Sequence, residues 1–348
     1  MSYTMIRDNY KIKSISMDEA LNKKKSLWID IRSPREYKKG HFTNAINLPL
    51  FNDEEFAELG TLYNNVGQKE AITLGEKYAS KISPSILNEI SNLKCEDIII
   101  YCARGGMRSK GVQSLLIDAG FNADRINRGY KSVREHTLNS FNNRRKLVII
   151  GGNTGSGKTI ILNKMKDQGY SIIDLEKIAN HRGSAFGDLG LSEQATQQQF
   201  ENDLSNIWIT TPKNCPVYIE SESRKIGKVV IPTAVWENML MAKYLKINMD
   251  INRRVNNLLD EYGKPNSSIL KQKIDNIAKR LGGQNSKIAK EALDKNNLSE
   301  FCEILLENYY DKLYQKSYDN RNTKKEIIIV QNESNEEIIS KIIETSNE

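Results

Sequence analysis

The 348-residue sequence predicts an α/β fold: two domains built on parallel sheets, the second carrying a helical C-terminal extension. Three observations predict it. Short apolar runs alternate with helical stretches, the pattern that buries parallel strands between layers of helix. The segment IIGGNTGSGKTIIL, residues 149–162, fits the phosphate-binding spacing G-x-x-x-x-G-K-[ST] at every position, between an apolar run and a helix. The chain is also too long for one ordinary core, which favours two domains.

In the first 145 residues, SLWIDI (26–31) and EDIIIYC (96–102) read as strands. Helical stretches fall at 18–22, 35–40, 53–59 and 69–93. A further helix spans 109–119, with Gly120 where a C-terminal cap glycine belongs. The basic segment NNRRK (142–146) leads into the strand 146–150, the phosphate-type loop and a helix over 159–167. The first domain is therefore expected at 1–141 and the core of the second at 142–235, with further strands at 170–176 and 215–220. Residues 236–348 read as a mainly helical extension, helix dominating from 233 to about 322. A late strand (326–332) then returns to the second domain, and a final helix covers 333–344.

Composition narrows the classes. Four cysteines, Cys95, Cys102, Cys215 and Cys302, show neither C-x-x-C spacing nor a disulfide framework, which points to a reducing cytoplasm. No apolar run approaches the ~18 residues of a membrane helix, and the start lacks a signal core, so no membrane partner is expected. The net charge of +7 is uneven: residues 101–150 hold ten Lys/Arg against three Asp/Glu. Such a belt beside a phosphate loop points to a polyanion such as RNA. Arg125, Arg128, Lys131, Arg134, Arg144, Arg145 and Lys146 are the candidates for its backbone.

The loop from Gly152 to Thr159 needs its residue types. Gly152, Gly155 and Gly157, with Thr154 and Ser156 between them, let successive N–H groups turn toward an anion. Lys158 supplies a point charge, and the Thr159 hydroxyl can hold Mg²⁺. A diphosphate fits such a loop as readily as ATP does. Asp174 ends a predicted strand, and Glu220 and Glu222 stand where an acid facing the loop belongs, with Arg224 beside them.

A second chemical centre is IIIYCARGGMRSKG. Cys102 ends an apolar strand, where ligands gather in parallel sheets. Arg104, Gly105, Gly106 and Arg108 follow at once, and a helix start adds its positive end. These surroundings lower a thiol's pKa and make Cys102 a nucleophile candidate. The other three cysteines read as structural.

Upstream, DIRSPREYKKGHFTNAINLP (30–49) resembles the rhodanese-domain signature at Asp30, Arg32, Glu36, Tyr37, Gly40, His41, Phe42, Ala45, Asn47 and Pro49. Rhodanese domains carry sulfur or selenium on a loop cysteine, which maps to Cys102. Arg32 is a candidate partner for Glu36. The loop is C-x5-R, one residue longer than the short sulfurtransferase loop, and matches the length used for tetrahedral oxyanions.

Joined to a P-loop, this domain resembles the tRNA 2-selenouridine synthases. CARGGMRS, RINRGYKSVRE (125–135), GNTGSGKT, DLEKIANHRGSAFG (174–187), QQQFENDL (197–204) and ESESRKIGKVVIP (220–232) follow in that family's order. The resemblance implies exchange of sulfur for selenium in 2-thiouridine at the wobble position of tRNA. Selenophosphate is the implied donor, and the implied intermediate is S-geranylated from geranyl diphosphate. It also implies a substrate-side role for His181 and Arg182, and selenophosphate synthase as a partner. Two other readings remain open: a P-loop kinase or nucleotide hydrolase coupled to a rhodanese-like sulfurtransferase or phosphatase, and an RNA-binding redox sensor.

Overall fold

The computed structural model describes residues 13–262, 266–319 and 323–347. The chain divides into two compact units: 1–140 with 196–206, and 141–195 with 207–348. The first break falls beside the basic segment. The return of 196–206 to the first unit is a tertiary feature, because nothing in QQQFENDL distinguishes it from any other surface helix.

The first unit carries β1 (Ser14–Ile15), β2 (Leu27–Asp30), β3 (Ile46–Asn47), β4 (Asp97–Tyr101) and β5 (Asn122–Ile126), all parallel, in the order β1-β5-β4-β2-β3. Alternation along β4 fills both faces: Ile98 and Ile100 join Ile29, Val112 and Leu116, while Ile99 and Tyr101 join Trp28 and Ile126. Helices start at capping boxes, Ser16 with Glu19, Ser33 with Glu36 and Asn52 with Glu55. The last of these opens a helix that runs to Asn65, past the expected 59 and through Gly60, since a single glycine costs a helix interior only about 1 kcal/mol.

The second unit contains β6 (Leu147–Gly152), β7 (Ile172–Ile173), β8 (Val217–Glu220), the antiparallel pair β9 (Lys225–Ile226) and β10 (Val229–Val230), β11 (Lys243–Met249) and β12 (Lys325–Val330). The main sheet is parallel, in the order β12-β11-β6-β8-β7. Two expectations are corrected. β11 lies inside the stretch read as helical from 233, because its mixed sequence KYLKINM becomes a strand by pairing with β6 and β12 on either side. The strand expected at 170–176 shrinks to two residues, because the Asp174 carboxylate accepts from Lys177 N–H and starts the helix Leu175–Ala179.

A buried ion pair anchors the first unit. Arg32 does not reach Glu36; its guanidinium lies on Asp30, Nη2 to Oδ2 2.6 Å, and also donates to the Gly40 carbonyl. The Tyr130 ring stacks beneath it at 3.7 Å. Both charges are buried, so removing one strands the other in low dielectric. Arg32→Met should therefore cost about 3–5 kcal/mol in denaturant unfolding, and adding Asp30→Asn should recover part of the loss. A loss below about 1 kcal/mol would mean that the pair contributes no more than a surface bridge.

Candidate functional sites

The first site is the loop after β4. Cys102 Sγ is buried, 3.3 Å from Ser109 Oγ, whose hydroxyl donates to the Gly106 carbonyl. Burial pushes the thiol pKa up, but the Ser109 hydroxyl, the Arg108 charge and the N–H groups of Ser109 and Arg104 outweigh it and leave the thiol below its ordinary value. Arg108 is held by Glu36 at 2.9 Å and lies over the Phe56 ring. Glu36, the residue expected for Arg32, thus positions the arginine of the reactive loop. Gly105 has φ +65°, and a Cβ there would meet Arg128 N at 2.8 Å. Gly106, by contrast, has negative φ, so the turn depends on one glycine and not two. Arg104 is exposed at the loop rim. Arg125, expected on RNA, instead donates to the Gly105 carbonyl at 2.8 Å and braces the loop.

The basic belt divides into exposed and engaged cations. Lys131, Arg144 and Lys146 are exposed, and exposed Arg128 pairs with Glu135. Two further expectations fail. Arg134 is engaged by Glu201 and by Asn202 Oδ1, and Arg145 is buried with its guanidinium on the Trp208 carbonyl. Both hold the fold where a phosphate contact was expected.

The second site is the loop between β6 and the helix Lys158–Asp167. Lys158 is buried and donates to the Gly152 carbonyl at 3.0 Å. Ser156 N–H donates to the Asn153 carbonyl, and Ser156 Oγ is buried. Gly155 has φ +79°, with Arg254 O only 2.6 Å from where a Cβ would stand. Residues from the C-terminal extension brace the loop: Arg254 donates to the Thr154 carbonyl and forks onto Asp311, and Asn257 donates to the Gly155 carbonyl. A cleft of about 390 Å³ joins Thr154, Gly155, Gly157, Lys158 and Thr159 to Glu176, Arg182 and Tyr314.

Glu176 was missed, though it lies in the segment DLEKIANHRG. Its carboxylate, with those of Glu220 and Glu222, forms a cluster whose oxygens lie within 4.8 Å of one another. Glu220 Oε1 accepts from Glu176 N–H at 2.7 Å, while Glu220 Oε2 and Glu222 Oε1 are buried without a partner. Burial and the neighbouring carboxylates raise the Glu220 pKa well above its ordinary value. Burial lifts that of Glu222 to about 7, against the pull of Lys158. Hard oxygen donors with unpartnered atoms fit Mg²⁺. Of the other candidates, Asp174 is spent as a helix cap, Arg224 donates to Thr233 Oγ1, and the His181 ring packs against Gly187 with burial lowering its pKa.

Two outcomes follow. Alkylation of Cys102 should have a pH midpoint below the ordinary 9.0, and Ser109→Ala should raise it; an unchanged midpoint in the variant would remove Ser109 from the cause. Glu222 binds its proton more tightly folded than unfolded, so the stability it supports is fully present below pH 4.5 and is lost as pH rises through about 7. In metal-free buffer that loss should run at up to about 1.4 kcal/mol per pH unit. Glu222→Gln should flatten it, read from thermal unfolding between pH 4 and 8, and an equal slope in the variant would contradict the assignment.

Comparison with known proteins agrees with this geometry. Residues 16–136 match the rhodanese-like domain, and residues 145–348 match the tRNA 2-selenouridine synthase AAA domain. Over 243 residues, 67% of this chain, the sequence is 35% identical to a tRNA 2-selenouridine synthase of Nitrosomonas eutropha, covering 62% of that protein. It is 38% identical over 241 residues to one of Serratia proteamaculans, covering 67% of this chain and 63% of that protein. The chain thus spans somewhat under two thirds of the length of the curated relatives it matches. A solved N-terminal domain from Clostridium difficile 630, described as part of an ATP/GTP binding protein, is 39% identical and covers 36% of this chain and 99% of its own, with a TM-score of 0.35. With a family model matching more than half of its length, downstream of a rhodanese-like domain, the chain belongs to the tRNA 2-selenouridine synthase family.

Proposed function

We propose that this chain replaces the sulfur of 2-thiouridine at the tRNA wobble position with selenium, through an S-geranylated intermediate. The reading rests on one observation above the rest: a thiol held below its ordinary pKa inside an N–H-lined loop, in a chain that also carries an intact phosphate loop. The phosphate loop would hold the diphosphate of geranyl diphosphate, Lys158 and the loop N–H groups taking the charge that develops on the leaving group. Mg²⁺ bound by Glu176, Glu220 and Glu222, or by Thr159, would further polarise the departing diphosphate. The thiouridine sulfur attacks the first carbon of the chain, and the carbon–oxygen bond to diphosphate breaks.

S-alkylation turns a poor leaving group into a neutral thiol. Selenium derived from selenophosphate then attacks C2 of the uracil, and geranyl thiol departs. Cys102 is the proposed thiol that frees this selenium: its thiolate attacks phosphorus, the phosphorus–selenium bond breaks and selenium leaves as selenide, with Arg104, Gly105 and Arg108 facing the donor's oxyanion, and water then releases phosphate from the sulfur. tRNA is the macromolecular substrate, with Lys131, Arg144 and Lys146 the exposed cations of the basic belt. Selenophosphate synthase is the proposed source of the donor. Among the described residues no helix is long and apolar enough to cross a membrane, and a cytoplasmic location suits a tRNA substrate.

Nucleoside mass spectrometry of 2-thiolated tRNA, incubated with geranyl diphosphate and selenophosphate separately and together, tests the scheme. Cys102→Ser should geranylate at nearly the normal rate and form no 2-selenouridine. Lys158→Ala should lose geranylation first, through a charge-assisted contact worth about 1.5–3 kcal/mol, while selenating a pre-geranylated substrate. Normal selenation by the serine variant would overturn the role of Cys102.

A further inference from the structure

The helical layer of the second unit contains a void that close packing does not account for. It measures about 60 Å³ and is walled by Phe186, Leu189, Leu270, Phe301 and Leu306. Protein interiors hold few voids larger than a water, and a water needs only about 10–15 Å³ but also two or more polar partners. These walls offer almost none, so the void is dry. Part of its wall is a π-helical turn, Leu306–Tyr310, set between the α-helices Leu298–Leu305 and Asp311–Asp319. Such turns widen a helix locally and gather at functional sites.

The position of this void is what gives it meaning. Thr154 and Leu258 line both the void and the 390 Å³ cleft over the phosphate loop. A ligand with its phosphates on Lys158 therefore has an apolar recess next to it. A nucleobase would bring ring nitrogens and an amino group that this recess leaves unpaired, which costs binding. A hydrocarbon brings none. Cys302, also in the wall, has its thiol pushed up to about 11 by burial and by Glu303, as expected of a surface of low polarity.

We propose that this recess seats the far end of the hydrocarbon chain of a prenyl diphosphate, whose head lies on the phosphate loop and whose chain passes Thr154 and Leu258. The assignment rests on the reading of that loop as a diphosphate-ester site and adds where the chain goes. The cleft holds the head and the first part of the chain, and the void takes the branched end. Each methylene removed from water gives about fourfold in affinity, so three or four carbons give on the order of a hundredfold.

Equilibrium binding of inorganic diphosphate, geranyl diphosphate and ADP to the full chain separates the possibilities. Geranyl diphosphate should bind on the order of a hundredfold tighter than inorganic diphosphate. Cys302→Phe, which fills the recess, should erase that advantage and leave inorganic diphosphate unchanged, while Cys302→Ala should keep it. In the unaltered protein, geranyl diphosphate but not inorganic diphosphate should shield Cys302 from a small thiol reagent, a readout that holds even if the phenylalanine variant does not fold. A geranyl advantage that survives Cys302→Phe, or a Cys302 left unshielded by bound geranyl diphosphate, would place the chain elsewhere and overturn the proposal while the diphosphate-ester reading stands. Binding of ADP with no geranyl advantage would overturn both.

Discussion

A parallel strand that runs into a short glycine-bearing loop and then a helix leaves a set of N–H groups with no partner inside the loop. Both centres of this chain depend on that constraint. After β4 the groups converge on a sulfur atom, and after β6 they turn toward a site for phosphate. Each loop must be held open against its own tendency to collapse onto those donors. In the first unit Arg125 on the Gly105 carbonyl and Glu36 on Arg108 do this. In the second, Arg254 and Asn257 take the outward carbonyls of Thr154 and Gly155.

The bracing explains why charge on the surface and charge in the sequence differ. Of the cations in the belt before the phosphate loop, Arg125, Arg134 and Arg145 are spent on carbonyls or carboxylates of the fold. Arginine suits such work, since its planar fork satisfies several acceptors while staying charged. The remaining exposed cations are fewer than composition suggests, so a patch counted from the sequence overstates how many side chains can touch a polyanion.

The acidic cluster shows the opposite economy. Glu220 and Glu222 are buried with unpartnered oxygens at the carboxyl end of β8, close enough to Lys158 for its charge to be felt. Without a cation they favour holding protons; with one they would be ligands. The phosphate cleft therefore carries positive donors on one wall and carboxylates on another, the combination that receives a metal-bound anion.

What the sequence by itself determined is local. Strand, loop and helix are contiguous around Cys102 and around Lys158, so glycine, arginine and lysine at fixed spacing carry their own meaning, and the order of segments from Asp30 to Pro232 carries the family. Tertiary structure decided whatever joins residues far apart. β11 is a strand because β6 and β12 flank it, although its lysines and apolar residues fit a helix as well. Arg32 chose Asp30 over Glu36 because Glu36 faces Arg108, seventy-two residues on. Arg254, Asn257 and Tyr314 reach the phosphate loop only when helices from the extension pack beside it, and Glu176 reaches it from the short helix after β7. Spacing along a chain records what neighbours must do; burial and pairing across a hundred residues leave no period to read.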